Sequence, residues 1–145
     1  MKPHGSKFEY EQERNDDLMK AYHSVIDASC VINLPEVYRN VVKMPSKRFW
    51  VSEERAAIVI SSMMKGDKLE KMREKKREMF QEIYARAMKI RRAFPEKSIF
   101  DIAIMVVRQP APEFYMTPGY AKLIILSAKR QWYEERRRKL RHLFL

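Results

Sequence analysis

The sequence predicts an all-α protein, a single compact domain of about six helices covering residues 1–145. Three observations lead there. Apolar residues recur at helical spacing along most of the chain. Helix-capping residues and prolines punctuate it at intervals typical of helix length. Only three Gly occur in 145 residues, too few for turn-rich sandwiches, Gly-rich phosphate loops or dinucleotide-binding fingerprints. With 46% hydrophobic and 34% charged residues, the chain has the composition of a globular domain that buries a core.

The first helix is expected from about Tyr10 to Cys30, with Leu18, Tyr22, Val25, Ile26 and Ser29 on one face and an acidic opposite face. Residues 1–9 are expected to be a flexible N-terminus. Asn33-Leu34-Pro35 opens a short second helix that turns Val37, Tyr38, Val41 and Val42 inward and ends at Pro45; Pro suits a first turn because it has no N–H to leave unpaired. Ser52-Glu53-Glu54 starts the third helix, since a Ser oxygen accepts an orphan backbone N–H and the carboxylates face the positive end of the helix dipole. Its core face is Ala56, Ile60 and Met63 or Met64, and Gly66-Asp67 stops it. The fourth helix runs from about Met72 to Ala93 with the stripe Phe80, Ile83, Tyr84, Ala87 and Ile90. Ser98 caps a nearly uncharged fifth helix, Ile99 to Val107, read as the most buried. Thr117-Pro118 starts a sixth that runs to about Arg141 and buries Tyr120, Ala121, Ile124, Ile125, Ala128 and Trp132. The fifth and sixth helices are expected at the centre, with the fourth packed against them. No internal repeat is evident at this level.

Charge narrows the function more than any motif does. Thirty Lys+Arg face nineteen Asp+Glu, a net +11. Residues 65–97 carry +6 and residues 120–145 another +6, whereas residues 98–119 carry −1. If the neutral fifth helix lies between the fourth and sixth, the two basic helices present one positive surface. Such a face binds a polyanion with an affinity that falls steeply with salt, because each neutralised phosphate releases counterions. In residues 65–78 acids alternate with bases, Glu74 being placed to pair with Arg77, so that segment reads as ordinary solvated helix surface. The basic helix end at residues 136–145 differs. Glu134 and Glu135 are its only acidic neighbours, leaving Lys129, Arg130, Arg136, Arg137, Arg138, Lys139 and Arg141 for a polyanion. Lys122 and the loop cations Lys47 and Arg48 complete the candidate nucleic-acid-binding set.

Two further patterns carry expectations. Ser98 to Arg130 has the outline of a helix-turn-helix pair formed by the last two helices, although the connection from Gln109 to Thr117 is nine residues. The usual turn has about three or four, so a plain antiparallel helix pair explains the pattern equally well. Pro45-Ser46-Lys47-Arg48-Phe49-Trp50 joins two cations to two aromatics, a composition suited to stacking on bases or meeting phosphates. Packing explains it better, with Trp50 or Val51 stapled onto Ala56 and Phe49 covering the core. If Phe49, Trp50 and Tyr115 are exposed instead, they make a protein interface.

Catalysis has little support: His4, His23 and His142 are scattered, and no His-x-x-x-His or Cys-x-x-Cys occurs, so the reading is not an enzyme, with no metal and no cofactor. A hydrolase or nuclease lacks the acidic and His cluster it would need. The lone Cys30 permits no internal disulfide, and no stretch approaches about 18 consecutive apolar residues, so a cytoplasmic protein with no membrane contact is expected.

Met44-Pro-Ser-Lys-Arg-Phe-Trp-Val-Ser-Glu-Glu-Arg-Ala57, Arg108-Gln-Pro-Ala-Pro-Glu-Phe-Tyr115 and Trp132-Tyr-Glu-Glu-Arg-Arg-Arg-Lys-Leu-Arg-His142 resemble a group of small basic helical proteins encoded in Bacteroidota genomes and their phages or mobile elements, over roughly residues 7 to 144. The resemblance brings no established activity, catalytic residue or cofactor. It implies a bacterial host cytoplasm or a virion as the setting. Together these readings point to non-catalytic binding of nucleic acid, double-stranded DNA first, by a regulator or packaging accessory. The alternative is a structural or assembly protein of a phage or mobile element that binds an acidic protein partner. A homodimer would double the phosphate contacts and allow two half-sites.

Overall fold

A computed structural model describes residues 4–144, with side chains from Tyr10 to Leu143. It contains six helices: α1 (His4–Ala28), α2 (Leu34–Val42), α3 (Glu53–Met64), α4 (Glu74–Ala93), α5 (Ile99–Val107) and α6 (Pro118–Phe144). There is no strand among the described residues, so the all-α reading with six helices holds. The expectation for residues 1–3 lies outside the described residues, and from His4 the backbone is helical.

Local chemistry sets most helix starts. The side chains of Asn33, Ser52, Ser98 and Thr117 each accept a hydrogen bond from the backbone N–H three residues on, at 3.1 to 3.3 Å. Each satisfies one of the orphan donors at a helix start. α4 has no such cap and begins at Glu74, two residues later than its apolar pattern suggests. Gly66, just past the Lys65 cap of α3, has a φ of +103 that is costly for residues with a Cβ.

The helices form two cores. α3, α4 and α5 enclose Ala56, Ile60, Phe80, Ile83, Ile102 and Val106; α1, α2 and α6 enclose Leu18, Tyr22, Val37, Val41, Ala121 and Ile125. The two connectors between helices, residues 43–52 and 108–117, join these cores. Phe49 and Val51 enter the first core while Trp50 enters the second, and Phe114 and Met116 enter the second while Tyr115 packs on the first. A local turn makes this division in each connector: Val51 N–H donates to Phe49 O at 3.0 Å across Trp50, and the equivalent Tyr115 has a φ of +54.

The arrangement is an internal duplication, which the sequence reading missed. Val41-Val42, Pro45, Phe49, Ala56 and Ile60 recur as Val106-Val107, Pro110, Phe114, Ala121 and Ile125, each pair 65 positions apart. At the same offset stand the caps Asn33 and Ser98, the caps Ser52 and Thr117, and the helix ends Ala28 and Ala93. The backbone pairing repeats too. Ser46 N–H donates to Ala111 O and Ala111 N–H to Ser46 O, both at 2.9 Å, so this antiparallel bridge joins equivalent residues. On either side Phe49 N–H donates to Val107 O and Phe114 N–H to Val42 O, both at 3.0 Å. A local two-fold axis therefore passes between Ser46 and Ala111.

Each unit gives its third helix to the other. α3 packs on α4 and α5, whereas α6 packs on α1 and α2, and neither touches the first two helices of its own unit. The connectors explain this exchange. Pro45 and Pro110 disfavour continuing the preceding helix, and the reciprocal Ser46–Ala111 hydrogen bonds hold both connectors at the axis. The chain is thus carried across the axis instead of folding back.

Three expectations are corrected by this topology. α5 and α6 lie in different cores and make no helix contact, so they form neither a helix-turn-helix nor a plain antiparallel pair. α5 is not the centre of the molecule with α6. Nor does it lie between α4 and α6, which share no contact, so those basic helices do not flank it.

Candidate nucleic-acid interface

α6 runs about 15 residues past the point where its counterpart α3 ends. The position equivalent to Gly66 is Gln131, a good helix former, so no left-handed residue stops the helix there. Every residue from Arg130 to Leu143 is exposed. The result is an arm roughly 20 Å long at 1.5 Å per residue, standing clear of both cores.

The arm brings together Arg130, Arg136, Arg137, Arg138, Lys139 and Arg141. None of them forms an ion pair among the described residues, where the recorded ion pairs lie elsewhere. Arg136 stacks its guanidinium over the Trp132 ring at 4.9 Å, which leaves its N–H groups at the surface. Trp132, expected in the core, is half exposed on this arm, and Tyr120 is likewise half exposed, covered by Arg14 at 5.6 Å. The sequence signal for this was faint: Trp132 continues the apolar stripe of α6 but lies beyond the end of the repeat.

The other candidate cations have different surroundings. Lys129 is half-buried; its ammonium donates to the Tyr22 hydroxyl at 2.5 Å and lies 4.4 Å from that ring's centroid. Arg48 is also turned inward, donating to Phe49 O at 3.0 Å, Val51 O at 2.9 Å and Glu53 at 3.4 Å, with its guanidinium over Trp50. Both cations are engaged within the fold by these contacts. Lys47 is exposed while its backbone N–H is held by Asp17 at 2.8 Å. Lys122 is exposed beside an apolar groove of about 420 Å³ between α2 and α6 that includes Leu34, Tyr38, Arg39 and Leu126.

Phe49 is 1% exposed and Trp50 9%, while Tyr115 is half-buried against Phe49, their ring centroids 6.1 Å apart. The protein interface expected from these three residues is therefore corrected for Phe49 and Trp50, which are committed to the cores.

On α4, Lys75 meets Glu113 at 3.3 Å and Glu78 at 3.5 Å, and Arg86 meets Glu82 at 2.7 Å. Partial burial pushes the Lys75 ammonium down, but the hydrogen bond and charge of Glu113, followed by those of Glu78, outweigh it and raise its pKa. Arg86 also donates to Pro110 O at 2.9 Å and covers Phe49 at 4.9 Å. Two α4 cations, Lys75 and Arg86, are thus engaged within the fold, the pairing in residues 65–78 running through Lys75 and Glu78 instead of Glu74 and Arg77, while Lys76, Lys89, Arg91 and Arg92 are exposed.

Among the described residues no three His, Cys, Asp or Glu lie close enough to hold a metal ion, and no helix is long and apolar enough to cross a membrane. Compared with known protein families, curated proteins and solved structures, the chain matches none.

Proposed function

We propose that the protein binds nucleic acid without catalysis, duplex DNA in the first place, by laying the basic arm of α6 along phosphates. The observation that carries this reading is the set of six exposed cations from Arg130 to Arg141, with only Glu134 and Glu135 among them and no internal ion pair among the described residues. A cation without an internal partner can release the counterions of a phosphate, whereas Arg48, Lys75 and Arg86 would first have to surrender contacts. Lys122 and Lys47 are secondary contacts. An α-helix fits the width of the major groove, so a free-standing helix can follow it. The likeness to small basic proteins of Bacteroidota and their phages suggests a regulator or packaging accessory as the setting.

The test is fluorescence anisotropy of the full chain against a labelled random duplex at about 50 and 200 mM salt, the range in which counterion release dominates. Binding at the lower salt that weakens at least a hundredfold at the higher supports the reading. No binding at low salt refutes it. A second reading, assembly onto an acidic protein of a phage or mobile element, is favoured by the exposed Trp132, Tyr133, Leu140 and Leu143 beside the cations. It predicts weak salt dependence and sensitivity to those apolar residues.

A further inference from the structure

The arm has a second face. At about 100° per residue Trp132, Tyr133, Arg136, Leu140 and Leu143 share one arc, while Arg130, Arg137, Arg138, Glu134, Glu135, Lys139 and Arg141 take the rest. Trp132 is 52% exposed, Tyr133 57%, Leu140 47% and Leu143 76%, so nothing among the described residues covers this arc. An apolar strip over several turns signals an interface.

We propose that a second copy of the chain covers it, the two arms pairing antiparallel about a two-fold axis. The charges along the arm select this partner and this direction. Acids stand near the base, at Glu134 and Glu135, and bases toward the tip, at Lys139 and Arg141. Parallel pairing sets like charges side by side. Antiparallel pairing sets Glu135, which flanks the arc, beside Lys139 of the second copy on the same flank, and the symmetry makes the pair twice. In that register Trp132 meets Leu143 and Tyr133 meets Leu140, closing the apolar arc.

The base of the arm is shaped to take a tip. Between α1 and α6 a groove of about 660 Å³ is lined by Met19, His23, Ala128, Trp132 and Tyr133, with Asp16 also at its wall. Residues 10–28 of α1 carry five acids against two bases, the opposite sign to the tip that would arrive there. Arg136 approaches its own counterpart near the axis, so the pair dissociates on dilution. The pairing does not rest on the nucleic-acid reading. It uses the apolar arc and leaves Arg130, Arg137 and Arg138 on the surface.

The experiment is sedimentation velocity of the full chain from about 2 to 200 μM, which brackets a micromolar dissociation constant. The expected mass rises from 17.5 kDa toward twice that value. Leu140→Glu with Leu143→Glu keeps the chain monomeric throughout, with the helical circular dichroism of the body retained. Lys139→Glu alone weakens pairing about tenfold or more, and adding Glu135→Lys restores it. A chain that stays monomeric at the highest concentration overturns the proposal, as does a dimer indifferent to the two Leu substitutions or a charge swap that fails to restore pairing. A monomer that instead pellets with phosphatidylserine vesicles assigns the arc to a membrane surface and overturns it equally.

Discussion

Replacing Arg136, Arg137, Arg138 and Lys139 together by Gln tests the basic arm directly. Gln keeps helix propensity and a long polar side chain, so the perturbation removes charge while preserving the helix. The arm spans roughly 20 Å, and a duplex carries one phosphate per about 1.7 Å of axis, so there are enough phosphates within reach for six contacts. Six contacts give a log–log slope of binding against salt of about −5, which means roughly a thousandfold weakening between about 50 and 200 mM. The variant retains only Arg130 and Arg141 on the arm, so its slope falls to about −2 and the same salt step weakens it only about tenfold. Anisotropy titrations at four or more salt concentrations measure both slopes. If the variant keeps the slope of the wild type, phosphates are bound elsewhere and the reasoning about the arm fails. A wild-type slope shallower than about −2 would refute it without any variant.

Lys129→Gln, by contrast, should leave the salt slope unchanged and cost about 1–2 kcal/mol of stability, because it removes a charged hydrogen bond to Tyr22; thermal melting alongside the titration separates the two effects. Phe49→Ala should cost about 3–5 kcal/mol and Phe114→Ala a similar amount, as both rings are buried at equivalent positions. Since each core draws helices from both units, calorimetry should show one transition in each variant, and two separated transitions would contradict the exchange of α3 and α6. Gly66→Ala should destabilise by about 1–2 kcal/mol through its left-handed backbone, whereas Gly119→Ala, in the first turn of α6 with open space around it, should be neutral or stabilising by up to about 1 kcal/mol in chemical denaturation. Burial, then the charges of Glu82 and Glu113, push the Tyr115 phenol from 10.0 up to about 12. Because the folded value lies above the unfolded one, the neutral phenol's contribution to stability is complete below about pH 10 and is lost as pH rises through about 12. Burial raises the Tyr10 phenol as well, so ultraviolet titration should show a late tyrosinate component that Tyr115→Phe reduces and does not abolish.

The duplication had been present in the sequence as Pro45 and Pro110, Phe49 and Phe114, and the paired Val residues before them, yet it does not stand out on a linear reading. The equivalent first helices are dissimilar, with Leu18 matching Ile83 but Tyr22 matching Ala87, because a buried position constrains apolar character and volume more than identity. Even the polar supports diverge. Asp17 accepts the N–H of Lys47, while at the equivalent place Pro112 has no N–H and Glu82 pairs with Arg86. Lys129 and Arg48 were read as surface cations because their composition is indistinguishable from that of the arm. Only their neighbours Tyr22, Trp50 and Glu53 show that both are engaged within the fold.

By itself the sequence determined the six helices, the caps Asn33, Ser52, Ser98 and Thr117, the stop at Gly66 and the concentration of basic charge at the C-terminus. These follow from interactions within a few residues, which spacing and side-chain type encode directly. Tertiary structure alone decided that α3 and α6 trade places across the Ser46–Ala111 axis, that Phe49 and Trp50 divide between two cores, and that the end of α6 stands free. Those outcomes depend on which apolar faces meet at long range, and an apolar face carries no label for its partner.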